Sequence, residues 1–427
     1  MSNRNKPISR EATETQQAVA ALARRNDWRK WSASRQLEYL CACTSALTEL
    51  AQQLGPDYAL ARLYHACTYN QPIAERKRRE RVLLDLAAKR AAVLQRPEMC
   101  VAVAALVEHH PWRRRELADW MPKSKNAYRQ LESLIRHLFD GYGDLPGWVI
   151  NAWLSERMWD GGVNIADLTI HLGRGNALRS FRGLPVSLTK RLEHEMRQAP
   201  AGCTFIEALR YAQLAARDAL EWLGLVLETR FGREIGPDDA FWLGVVDFFA
   251  AAPMVDPRQF GPVCDWIRQK RSVGIGLEPP QPGFSLKGRT MASVIAQMEQ
   301  WHRSLGRVRR HGGHERAATW PTLPVSDFVS GADQQVTITQ LRTYGELVEE
   351  GQMLHHCVAS YLASCQRGKC GIFSLKVNGA RALTLEVLWN RTIVQIRGRY
   401  NRRMALDECF WVSRWATEAQ LQVSKHA

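Results

Sequence analysis

Between Glu346 and Arg403 the chain collects two adjacent histidines (His355, His356), a cysteine (Cys357), a glutamate inside an apolar run (Glu386), and Gln395 and Arg397 two residues apart. Histidine takes up and releases protons near neutral pH, a glutamate serves as base or metal ligand, and Arg397 with Lys376 would offset negative charge developing on a substrate. His355, His356, Cys357, Glu386, Gln395 and Arg397 are therefore the candidate catalytic residues. From Arg391 to Arg403 there are five arginines and no acid. Arg399, Tyr400, Asn401, Arg402 and Arg403, with Lys376 and the more distant Arg309 and Arg310, suit backbone phosphates and a stacked base, and equally a solvated basic surface. Zinc on Cys357, Cys365 and Cys370 with a histidine is disfavoured, because the spacings match no closed structural site; buried thiols are expected instead. Magnesium or manganese enters only if the chain is a nuclease. Such a site wants a second carboxylate, and only Glu349 or Glu350 is close in sequence to the histidines.

The elements that must position these groups follow from periodicity. Thr339 to Glu350, ended by Gly351, reads as a helix, and a second is expected from Gln352 to Cys365, ended at Gly368. In the second, Leu354, Val358, Tyr361, Leu362 and Cys365 form the buried stripe. At about 100° per residue His355 and Cys357 flank that stripe, while His356 points away beside Ser360 and is badly placed to activate Cys357. Residues 372–377, 382–388 and 392–397 then predict a three-stranded antiparallel meander with turns at Asn378-Gly379 and Trp389 to Arg391. Alternation puts Phe373, Leu375, Val377, Leu383, Leu385, Val387, Val394 and Ile396 on one face, and Ser374, Lys376, Thr384, Glu386, Gln395 and Arg397 on the other. A two-residue turn at Asn390-Arg391 would set Glu386 opposite Gln395 and Thr384 opposite Arg397. The polar face is either solvated, with Glu386 paired to Lys376 or Arg397, or the floor of a site if the histidine-bearing helix covers it. A terminal helix with Trp411 and Trp415 on one face closes the chain.

Upstream the pattern is helical. Residues 75–94, 126–140, 204–231 and 238–251 show three- and four-residue apolar spacing, and Trp112, Trp120, Trp148, Trp153, Trp159, Trp222 and Trp242 are expected to fill helix seams. Gly and Pro concentrate over 272–290 and break the pattern. The predicted organisation is a polar tail (1–14), a helical domain (15–271), a junction with one helix and a basic segment (272–335) and a small α+β domain (336–427), a mainly α chain overall. Basic clusters at Arg76 to Arg81, Arg113 to Arg115 and Arg307 to Arg316 each suit phosphate or a solvated helix face.

Composition sets the frame. The 427 residues, 45% hydrophobic and 24% charged, suffice for two or three globular domains. Lys and Arg outnumber Asp and Glu 58 to 43, for a net charge of +15, which favours a polyanionic partner. Ten scattered cysteines suit unpaired thiols in a reducing compartment. The polar N-terminus carries no apolar signal region, and the apolar run Val101 to Val107 is far short of the roughly eighteen residues of a membrane span. A soluble, cytoplasmic protein without membrane insertion is expected.

The motifs Glu350-Gly351-Gln352-x-Leu354-His355-His356-Cys357-Val358-x-Ser360-Tyr361, Ile372-Phe373-Ser374-Leu375, Thr384-Leu385-Glu386 and Gln395-Ile396-Arg397-Gly398-Arg399-Tyr400-Asn401, in that order, resemble the PcfJ-like family, known chiefly from conjugative plasmids and other bacterial mobile elements. The likeness extends more loosely to Phe284 to Thr290 and to Trp301-His302. It implies a setting, DNA transfer or mobile-element maintenance, and no reaction. Three functions are thus expected: an accessory protein that binds DNA or RNA through basic surfaces, a phosphodiester- or nucleotide-processing enzyme, or an adaptor for protein partners of a transfer or defence complex.

Overall fold

A computed structural model describes residues 31–42, 59–252, 254–272, 274–275, 278–305, 318–330, 335–354 and 356–427. The chain divides into two compact units, with the boundary between Ala216 and Arg217. Among the described residues no helix is long and apolar enough to cross a membrane, and all nine described cysteines are free thiols, six of them buried.

Among its described residues the regular elements of the first unit are helices, apart from the two-residue strands β1 (Trp159–Asp160) and β2 (Val163–Asn164). Its helices begin where the sequence offers side-chain caps. Asn126 Oδ1 accepts the Arg129 N–H ahead of Ala127–Phe139, and a Thr204/Glu207 capping box opens Phe205–Ala215. Trp120, Trp148 and Trp153 fill seams as expected; the indoles of Trp148 and Trp153 donate to Met196 O and Thr169 Oγ1, both at 2.9 Å. Trp112 and Trp159 depart from that expectation, at 47% and 71% exposed. The first basic cluster is partly neutralised from within: Arg76 pairs with Glu80, and Arg78 and Arg79 pair with Glu75.

The second unit is organised around a six-stranded mixed sheet rather than a three-stranded meander. Its strands are β3 (Phe328–Ser330), β4 (Val336–Gln340), β5 (Cys370–Val377), β6 (Ala380–Leu388), β7 (Thr392–Gly398) and β8 (Gln422–Val423), adjacent in that order. All pairs are antiparallel except β7 with β8. The expected meander is its centre. The start of the predicted 339–350 helix is instead strand: the β-branched alternation from Val336 to Thr339 zips onto β5, with Ile338 opposite Leu375, and the helix runs Tyr344–Leu354. One face of the sheet is apolar. Val336, Ile338, Phe373, Leu375, Leu383 and Leu385 pack there with Val412 and Trp415 of the terminal helix Leu406–Glu418; Trp411 joins them partly buried.

Two expected helices are broken, and both breaks build the site. Residues 204–231 are not one helix. Phe205–Ala215 is followed by Asp218 at φ +54°, then Leu223–Glu228, then a restart at Thr229, whose Oγ1 accepts the Gly232 N–H. The predicted helix 352–365 does not exist as such. Tyr344–Leu354 runs straight through Gly351, after which the chain doubles back: the His356 N–H donates to Gly351 O at 3.1 Å, a 3-10 turn covers Val358–Tyr361, and a short helix spans Leu362–Gln366. Gly351 is not a helix stop but a point of close approach. A Cβ there would sit 2.7 Å from His356 O, too close for any other residue without displacement of the returning strand of chain.

Candidate functional site

The polar face of β5–β7 is covered. Thr384 lies opposite Arg397 and Glu386 opposite Gln395, as the turn geometry predicts, and Ser374, Thr384 and Glu386 are all buried. A bulge between Glu386 and Val387 shifts the register, so that Ile393, rather than Val394, faces Val387 and joins the apolar core. The bulge leaves Val394 O to accept from Arg233 Nη1 at 3.0 Å, while Arg233 Nη2 reaches Glu386 Oε2 at 3.1 Å. The arginine thereby reads both the carboxylate and the irregular backbone beside it.

Helix Tyr344–Leu354 lays Glu350, fully buried, over the same face. Its carboxylate accepts from Ser374 Oγ at 2.8 Å, Thr384 Oγ1 at 2.7 Å and Arg381 Nε at 2.7 Å. His356 Nε2 lies 2.9 Å from Thr384 Oγ1. While Glu350 is ionised the Thr384 hydroxyl donates to it and the hydroxyl oxygen accepts from the imidazole, which places a proton on His356 Nε2. The expectation that His356 points away from the buried side is therefore corrected: the return of the chain over Gly351 carries it inward, to 7% exposure.

His356, Cys357, Glu386, Gln395, Arg397 and Asn401 all line one cavity, with Asp265 and Tyr361 among its other walls. Its free volume of about 30 Å³ is room for a water or two, or for one small projecting group. Burial dominates the electrostatics. It raises the Glu386 carboxyl above its ordinary range, against the pull of Arg233, Arg230 and Arg268 and with help from Asp265. Burial and then Asp265 push the Cys357 thiol well up, and its Sγ donates to Asp265 Oδ2 at 2.8 Å. A thiol held neutral in this way is a poor nucleophile. Burial likewise keeps Tyr361 a phenol, which donates to Gln395 Oε1 at 2.8 Å. Arg397 Nη2 pairs with Glu228 Oε2 at 2.7 Å and Nη1 donates to Ile396 O at 2.9 Å, leaving three of the five guanidinium N–H groups for other acceptors.

The arginine-rich tail is tied down more than its composition suggests. Arg403 also pairs with Glu228, and Arg402 pairs with Glu408, whose carboxylate caps the terminal helix through Ala405 N. Lys376 lies opposite Arg381 at the far end of β5, does not line the cavity, and is half-buried; Arg399 is exposed. His355, Arg309, Arg310, the rest of the basic segment 307–316 and the side chain of Tyr400 lie outside the described residues. Among the described residues no three His, Cys, Asp or Glu side chains come together as a metal ligand set. Asp265 adds a second carboxylate to the cavity wall, its Oδ2 engaged by Cys357 and Glu386 Oε2 by Arg233.

Sequence reasoning missed Glu228, Arg230, Arg233 and Asp265. Each is separated from its partner in the site by roughly a hundred residues or more, and no local pattern marks it. Neither a curated protein nor a solved structure matches the chain. The family comparison falls on the second unit, where the cavity lies: residues 297–409 match the model of the PcfJ-like protein family, and the chain carries a PcfJ-like domain over that stretch.

Proposed function

We propose that the protein works on nucleic acid as an accessory factor of a mobile genetic element, and that the cavity is an active site for a phosphodiester or nucleotide group. The observation that carries this reading is the convergence of His356, Glu386, Gln395, Arg397 and Asn401, drawn from separate motifs, on one cavity. Structural ion pairs alone do not require an imidazole, a carboxyl raised by burial and an arginine with spare donors to face the same small volume. His356 and Glu386 are the proton carriers; Arg397 and Asn401 offer N–H donors to an anionic group. The cavity accommodates a single projecting group or a water rather than a whole nucleotide, so a substrate presents one group to it and keeps the rest outside.

Binding without catalysis is the second reading, supported by the net charge of +15 and by the mobile-element setting that the family resemblance implies. Titration of the full chain with single-stranded and duplex DNA and RNA at two salt concentrations, with Mg²⁺ or Mn²⁺ and products run on a gel, separates them. Cleavage lost in a folded Glu386→Gln protein is the expected result; cleavage unchanged in that variant would overturn the active-site assignment. Salt-sensitive binding without products leaves the accessory role, and no binding even at low salt removes both and leaves a protein-binding adaptor.

A further inference from the structure

Trp112, one of the two tryptophans that leave the helix seams, stands on the surface of the first unit. It lines a groove with Arg174 and Phe181, and Phe181 continues into a second groove walled by Arg182. Their volumes are about 330 and 320 Å³. Tyr142, 66% exposed, stands at the rim. Gly175, at φ +81°, holds it there, because a Cβ at that position would lie 2.8 Å from the tyrosine ring. Gly141 brings in Arg114 in the same way; a Cβ on it would lie 3.3 Å from Arg114 Nε.

Charge on this surface is predominantly positive, with one carboxylate, Asp167, in the lining of the Trp112 groove. Arg114, Arg174 and Arg182 are exposed and form no ion pair among the described residues. Of the nearby acids, Glu116 is paired with Arg113 and Glu193 with Arg179, while Asp167 lies 3.3 Å from His109 Nε2, a contact that offsets its charge when the imidazole is protonated. Three aromatic rings interleaved with three uncompensated guanidinium groups match a chain of phosphates that carries accessible π faces. A duplex hides its base faces in the stack, and a run of Asp and Glu residues carries none.

We infer that this surface binds single-stranded nucleic acid, with bases against Trp112, Phe181 and Tyr142 and phosphates on Arg114, Arg174 and Arg182; the inference rests on the nucleic-acid reading above and names where the strand is held. The test uses the full chain and three probes of equal length: a fluorescein-labelled oligothymidylate, its abasic counterpart and a duplex. Replacing Arg114, Arg174 and Arg182 together by Gln lowers the slope of log affinity against log salt by about 2 on the oligothymidylate, at roughly 0.7 per lost phosphate contact. Trp112→Ala weakens the oligothymidylate by about 5- to 150-fold and leaves the abasic strand unchanged. All these substitutions are at exposed positions, and a circular dichroism spectrum verifies the fold. Unsubstituted protein that binds while the triple variant keeps its affinity and salt slope overturns this site and leaves the broader reading standing. Equal binding of the oligothymidylate and the abasic strand, or competition by polyglutamate as effective as by the oligonucleotide, overturns the choice of partner. Absence of any binding by the unsubstituted protein at low salt sinks both.

Discussion

Glu350 is the residue whose replacement tests the site most directly. It has no exposed surface, and its two oxygens satisfy Arg381, Ser374 and Thr384 at once. Glu350→Ala leaves the Arg381 guanidinium, 15% exposed, with only the more exposed Glu349 as counterion, and removes the acceptor of two buried hydroxyls. Breaking a buried ionic network on one side costs about 3–5 kcal/mol. Glu350→Gln is expected to be far milder. Burial raises the carboxyl above its ordinary value despite the bonds from Thr384 and Ser374 and the attraction of Arg381, so holding the charge there is itself expensive, and the amide costs about 1 kcal/mol or less. The sign with pH follows from the raised value. Stability from this group is full below the unfolded pKa and declines as pH rises through the folded one, so the gap between the wild type and Glu350→Gln narrows as pH increases from about 4.5. The amide also turns an N–H₂ toward Thr384, which must then accept from it; His356 no longer has to donate, and its proton is free to move to Nδ1. Unfolding of the second unit, followed by hydrogen exchange in peptides from β6, gives the energies, and imidazole ¹⁵N shifts report the tautomer. A Glu350→Ala protein within about 1 kcal/mol of wild type would refute the network as a stabilising element.

Two further predictions concern single titrating groups. His110 Nε2 is buried without a partner, and burial, with Arg113 and Arg78 nearby and Glu116 opposing, lowers its pKa to about 4. A depressed imidazole contributes stability above its unfolded value near 6.5 that is lost as pH falls toward 4, about 2–3 kcal/mol in total once solvent screening of this partly exposed group reduces the full linkage value. Thermal midpoints of His110→Gln should lack that decline between pH 6.5 and 4; an unchanged decline would assign it to other groups. Cys357, neutral and bonded to Asp265, should react with iodoacetamide more slowly than the partly exposed Cys409 in a timed mass-spectrometric experiment, and Cys357→Ser should keep any nucleic-acid activity. Faster labelling at Cys357 would contradict its assignment as a structural thiol.

The sheet register was legible because period-two alternation leaves little choice: shifting β6 or β7 by one residue would bury Glu386 and Gln395 in the core. The bulge at Val394 was not, since nothing in Thr392 to Arg397 distinguishes Ile393 from Val394 as the inward residue, and the choice is made by Arg233 and the packing of Val387. The helix break at residue 356 escaped for a related reason. Leu354, Val358, Tyr361, Leu362 and Cys365 have the spacing of a continuous helix, and a 3-10 turn presents nearly the same stripe. What decides between them is a contact across the turn, His356 over Gly351. Val336 to Thr339 did carry the strand signal, but Thr339 also reads as a helix cap, and only pairing with β5 resolves it. β8 is two residues long and stands on backbone bonds such as Gln422 N to Arg391 O at 3.0 Å, so it leaves no mark in composition.

The cluster around Glu228 bears on how such a chain can change over generations. Glu228 holds Arg397 and Arg403, and Arg233 holds Glu386, yet both lie upstream of the stretch 297–409 that carries the family signature. A recombination event that transplanted that stretch alone would deliver buried charges to a recipient without their counterparts. The heritable unit of this site therefore begins at or before Leu223, and a substitution that removes charge from Glu228 becomes tolerable only in company with changes at Arg397.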